Sequence, residues 1–190
     1  MEERRLNNLR RKQFIYMNLM FAVTLILLLG LVLSRASGVV VYSVLGLIFL
    51  IPAISLQISK RPHPFLQLFP GMKELIRYEL DKLGNSWRRY YTSGFLLQFA
   101  LSIFFFIQAL IRDGNTPFME GIPFWYLIVI PLVMLLVLNF NLRVHTRRID
   151  QKTPEQLKVY ADDKMLFSLV FASVSVVMTL LGTLVVMVMT

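Results

Sequence analysis

Residues 10–33 read RRKQFIYMNLMFAVTLILLLGLVL, a basic cluster followed from Phe14 to Leu33 by a run without a single charge. A helix of about 20 apolar residues spans the hydrocarbon core of a bilayer. Arg and Lys flanking such a run collect on its cytoplasmic side. With Arg4, Arg5, Arg10, Arg11 and Lys12 ahead of it, the run predicts a membrane-crossing helix that leaves the N-terminus in the cytoplasm. A signal peptide is the competing reading, because the small residues Ser34 and Ala36 follow. The run exceeds a signal core of about 7–15 residues, and Arg35 sits at the supposed cleavage point, so a retained helix is expected.

Four further runs of similar length follow: Val39 to Ile58, Gly94 to Ile111, Ile122 to Leu142 and Met165 to Met189. The sequence therefore predicts an all-α integral membrane protein, a single transmembrane domain over 1–190 with five spans. If the N-terminus is cytoplasmic and the C-terminus outside, every Lys and Arg except Arg35 and Arg112 falls on the cytoplasmic side. This is the pattern of a multi-pass protein of a bacterial-type plasma membrane. An apolar share of 56% fits that reading, since lipid has to cover what a soluble domain of this size would bury. The net charge of +9 lies just outside the apolar runs, where anionic lipid is the natural counterion and nucleic acid is not called for. The chain has no cysteine, which removes thiolate chemistry and Cys-ligated metals.

Aromatic residues mark the boundaries of the spans. Trp87, Tyr90 and Tyr91 precede the third, and Phe124, Trp125 and Tyr126 open the fourth. Pro52 and Pro131 fall inside spans and predict local kinks. Between the second and third spans, Leu68, Phe69, Met72, Leu75, Ile76, Leu80, Leu83 and Trp87 share one arc of a helix beginning at Pro70. The segment 65–91 is thus expected to be a cytoplasmic interfacial amphipathic helix. Thr153, Pro154 and Gln156 supply an N-cap, a first-turn proline and a capping-box partner, so a second cytoplasmic helix over 154–164 should run on into the last span.

One constant offset brings Arg61 onto Arg143, His63 onto His145, Leu75 onto Leu157, Tyr78 onto Tyr160, Asp81 onto Asp163 and Lys82 onto Lys164. Both copies read L-x-x-Y-x-x-D-K. A slightly smaller offset aligns Arg10 and Arg11 with Arg88 and Arg89. Duplication of a hairpin followed by a helix would produce this, as a parallel tandem repeat; shared topology with a narrow alphabet is the alternative.

Glu79 falls within the apolar arc, where a carboxylate has to find water, a cation or a partner. The simplest arrangement has it reach outward to Lys82, one turn on. His63 and His145, at matching positions, are expected to be solvated at the interface rather than metal ligands. Arg61, His63, Glu79, Lys82, Trp87, Arg88, Arg89, Arg143, His145, Arg147 and Arg148 together make a candidate surface for anionic lipid or a protein partner. Asn18, Gln57, Gln98, Gln108 and Asn139 are the amides within the runs, suited to joining helices or lining a path. The sequence carries no phosphate loop, zinc-protease helix or nucleophile elbow, and no catalytic, cofactor or metal-binding residue is expected. These features lead to a non-enzymatic accessory, scaffold or regulatory subunit that contacts membrane lipids and another membrane protein or a second copy. A small transporter or channel component is the alternative, and a head-group-active membrane enzyme a further one.

Overall fold

The computed structural model describes residues 2–59, 64–112, 114–120 and 123–189. It is all-helical, with five helices long and apolar enough to cross a membrane. Helix α1 runs Glu3–Leu33, α2 Gly38–Ser59, α3 Met72–Leu83, α4 Trp87–Ile111, α5 Tyr126–Gln151 and α6 Pro154–Met189. Only α3 is too short to span. It lies across the end of the bundle where α1, α4 and α6 begin and α2 and α5 finish, hereafter the charged end.

Two helices, α3 and α5, start later than expected for local reasons. The amphipathic helix starts at Met72 rather than Pro70, because Phe69 is extended and the chain turns through Gly71 before the Met72 N–H bonds back to the Phe69 carbonyl. Leu68, expected on the apolar arc, is 80% exposed. Gly84 ends the helix with φ at +51°, a conformation that costs most residues strain, and so turns α3 into α4. Helix α5 starts at Tyr126 rather than Ile122, after successive N–H bonds from Tyr126, Leu127 and Ile128 to the carbonyls three residues back. At the start of α6 the capping box forms. The Thr153 N–H donates to Gln156 Oε1 at 3.2 Å, and the Gln156 N–H to Thr153 Oγ1 at 3.4 Å.

Packing divides the spans into two groups. Helix α4 is central to a layer, with α2 against one side and α6 against the other. The α2–α4 approach is tight at Gly46, whose carbonyl accepts a hydrogen bond from Ser102 Oγ at 3.0 Å while Phe106 covers the missing side chain. Phe49 stacks on Phe105 at 5.6 Å in the same interface. Helix α1 pairs with α5 instead, and at mid-length the two exchange amide hydrogen bonds between Asn18 and Asn139 at 2.8 and 3.0 Å. The opposite ends of the helices are joined by main chain: the Gly38 N–H donates to the Thr116 carbonyl and the Phe118 N–H to the Ala36 carbonyl, clasping the α1–α2 turn to the α4–α5 loop.

Most of the large, fully buried apolar residues sit at the charged end, with Val41 at the other end of α2 an exception. One cluster joins Leu83, Tyr90, Tyr91, Ile149, Leu157 and Ala161; a second joins Leu9, Leu66, Met72 and Leu75, extended by Tyr16 stacked on Phe69. Accessible surface totals 12438 Å², against about 9,300 Å² for a soluble monomer of this mass. The excess is helix faces such as Ile128, Leu136 and Phe140 that point away from the bundle.

The Gly46 contact yields a direct test. An alanine Cβ there would lie 2.9 Å from the Phe106 ring, whereas Gly30 has open space around it. Gly46→Ala should be less stable than Gly30→Ala by about 1–3 kcal/mol, read from unfolding midpoints of the two variants in detergent. Equal midpoints would show that the α2–α4 approach is looser than described.

Candidate functional site

At the charged end, four helices each send polar side chains into one buried cluster. Its centre is Glu79 of α3, which is fully buried. The carboxylate faces inward because α3 turns its apolar arc, Met72, Leu75, Ile76 and Leu83, onto the bundle, and Glu79 belongs to that arc. Arg10 of α1 forms an ion pair with Glu79 Oε1. Tyr91 of α4 donates its hydroxyl to Oε2 at 2.7 Å, and His145 of α5 lies with Nε2 3.3 Å from Oε1. A carboxylate withdrawn from water needs such partners.

Arg10 serves two carboxylates at once. Nε and Nη2 donate to Asp150 of α5 at 3.0 and 2.6 Å, the two-pronged geometry to which a guanidinium is suited, and Nη1 also reaches Gln13 at 3.0 Å. Lys82 donates to the Asp150 main-chain carbonyl at 2.6 Å. His145 completes the cluster on its far side, where Nδ1 is hydrogen-bonded to the Tyr90 hydroxyl. Nε2 therefore faces the Glu79 carboxylate, and Nδ1 faces the Tyr90 hydroxyl. The result is a continuous carboxylate–imidazole–phenol chain across α3, α5 and α4.

Burial by itself would raise the Glu79 carboxyl, but His145 and Arg10 outweigh it and hold the group well below the usual carboxylate range. Burial, then the Glu79 charge, pushes the Tyr91 phenol well up, so Tyr91 remains a donor.

The structure distributes the candidate residues unevenly. Glu79, His145 and Lys82 come together in the cluster, and Glu79 takes Arg10, Tyr91 and His145 in place of the expected Lys82. His145 is held within this cluster and not solvated at the interface. Arg148 donates to the Tyr160 hydroxyl at 2.5 Å, Arg89 pairs with Asp162 at 2.6 Å, and Arg147 bonds Gln151 at 3.1 Å. Arg88 lies over Trp87 and Arg143 over Phe14. Arg61 and His63 lie outside the described residues. Of the amides, Asn18 and Asn139 meet; Gln57 is exposed, and Gln98 and Gln108 are half-buried on α4. Among the described residues no group of His, Asp and Glu is arranged to hold a metal ion.

Arg10, Tyr90, Tyr91 and Asp150 were not singled out by the sequence as site residues. The available signal was Glu79 itself, a carboxylate in an apolar arc that demands a cation, but nothing local says which. Comparison with protein-family models, curated proteins and solved structures gave no match.

The depressed Glu79 carboxyl links stability to pH with a definite sign. Its folded value lies below its unfolded one, so its contribution is fully present above the ordinary carboxylate range and is lost as pH falls through the folded value. Thermal midpoints in detergent should drop on acidification below about pH 4, and Glu79→Gln should flatten that limb. Arg10→Met should cost about 3–5 kcal/mol at neutral pH, since it leaves the buried Glu79 and the partly buried Asp150 without their shared cation. An acid limb unchanged by Glu79→Gln would remove Glu79 from this role.

Proposed function

We propose that this chain is a multi-pass membrane protein with its charged end in the cytoplasm, acting as a non-enzymatic accessory or scaffold subunit of a membrane complex. The observation that carries this reading is the division of labour at the charged end. Arg10, Glu79, Asp150 and His145 are spent on one another and on Tyr90 and Tyr91, holding four helices together. Arg11, Arg88, Arg143 and Arg147 remain exposed around them. A basic rim beside apolar spans attracts anionic lipid, at about 1 kcal/mol for each Lys or Arg near the surface. The same residues give the positive-inside bias that orients the chain.

The tandem-repeat reading is part of this proposal, and one observation supports it: both L-x-x-Y-x-x-D-K segments are helical, with Leu75 and Leu157 fully buried.

The absence of native cysteine makes orientation easy to test. In intact cells with the outer envelope opened, Asn115→Cys should react with an impermeant thiol reagent and Asn85→Cys should not; both positions are exposed. The reverse pattern would invert the topology. The subunit role predicts that the intact protein purifies in mild detergent with a second membrane protein in fixed stoichiometry. A lone oligomer would count against it and favour the transport alternative.

A further inference from the structure

Three cations gather over two tyrosines where the end of α5 passes the start of α6. Arg148 donates to the Tyr160 hydroxyl, and its guanidinium lies 4.6 Å from the centre of that ring. The Lys152 ammonium stands 4.8 Å over the same ring. Lys164, one turn beyond Tyr160 on α6, stands 3.8 Å over the ring of Tyr90. The Tyr90 and Tyr160 rings are themselves 5.9 Å apart.

Among the described residues, no carboxylate pairs with any of these cations. The acids nearby are already committed: Glu79 to Arg10, His145 and Tyr91, Asp150 to Arg10, and Asp162 to Arg89. Asp163 is exposed and, among the described residues, joins none of the ion pairs. An ammonium carries three donors, and an aromatic face satisfies only part of what water would supply. Burial, and then the Arg148 charge, lowers Lys164 from the ordinary lysine value to about 8. A compact anion with several oxygens would relieve the desolvation and the repulsion together, and Arg with Lys is the usual pairing for phosphate. Lys164 immediately precedes Met165, where the last apolar run begins. In a membrane that places the group at head-group depth.

We propose that Arg148, Lys152 and Lys164, arranged over Tyr90 and Tyr160, form a phosphate-binding site at the charged end of the bundle. The site sharpens the lipid-facing reading given above, and rests on it for the expectation that the phosphate belongs to an anionic lipid.

The test is titration of the intact protein, in mild non-ionic detergent, with phosphatidylglycerol, with diacylglycerol and with inorganic phosphate, followed by native mass spectrometry. Saturable binding of one phosphatidylglycerol is expected, with diacylglycerol at least about tenfold weaker, a difference of about 1.4 kcal/mol. Lys164→Gln and Arg148→Gln should each weaken phosphatidylglycerol about tenfold, Lys164→Arg should retain it, and Lys73→Gln, at an exposed position of α3 outside the basic rim, should change it less than twofold. Tight phosphatidylglycerol with weak inorganic phosphate assigns the site to lipid; inorganic phosphate of equal strength assigns it to the free ion. Equal binding of diacylglycerol, or a Lys73→Gln effect as large as that of Lys164→Gln, would overturn the site. The latter result leaves a diffuse basic surface standing. Asn85 and Asn115 labelling decides the orientation separately.

Discussion

A carboxylate buried without water is tolerable only when cations and donors surround it, and Glu79 sets that condition for the whole charged end. Helix α3 is short and cannot span a bilayer; its place depends on its apolar arc and on the acid within that arc. Meeting the needs of Glu79 draws Arg10 from α1, Tyr91 from α4 and His145 from α5. Meeting the needs of His145 and Arg10 then fixes Tyr90 and Asp150. Four helices are positioned by one chain of obligations, whereas the apolar spans alone have little preference for one neighbour over another once lipid surrounds them.

Buried ion pairs are weak contributors to net stability, because desolvation cancels much of the attraction, but removing one member is costly. The Arg10–Glu79–Asp150 arrangement therefore acts more on which helices associate than on how strongly. Van der Waals packing supplies the α2–α4–α6 layer, through the close approach at Gly46 and the Phe49–Phe105 stack. The α1–α5 pair relies more on polar recognition, with reciprocal amides at Asn18 and Asn139 and the guanidinium fork at one end.

The five long helices were legible in the sequence because hydropathy is a local property and the runs are uninterrupted. So was the start of α6, since Thr153, Pro154 and Gln156 specify it within four residues. The site was legible only in outline. Glu79 stood out as an acid on an apolar arc, but Arg10 is 69 residues away from it and Asp150 is 140 away from Arg10. No periodicity reports pairings at that distance. His145, Tyr90 and Tyr91 each had an ordinary interfacial reading, and only their convergence distinguishes them. The start of α5 was displaced because a hydropathy pattern extends an apolar run through turn residues as readily as through helix.

The main-chain clasp between residues 36–38 and 116–118 has a mechanical consequence when set against the charged cluster at the other end. The α1–α5 pair is pinned to the rest of the bundle at both extremities, and between the pins it touches the α2–α4–α6 layer little. A rod held at its two ends yields by bowing, not by swinging away. Lateral pressure from a bilayer of changing thickness would therefore be absorbed as curvature along α1 and α5, with the layer on α4 as the stiff reference against which they flex.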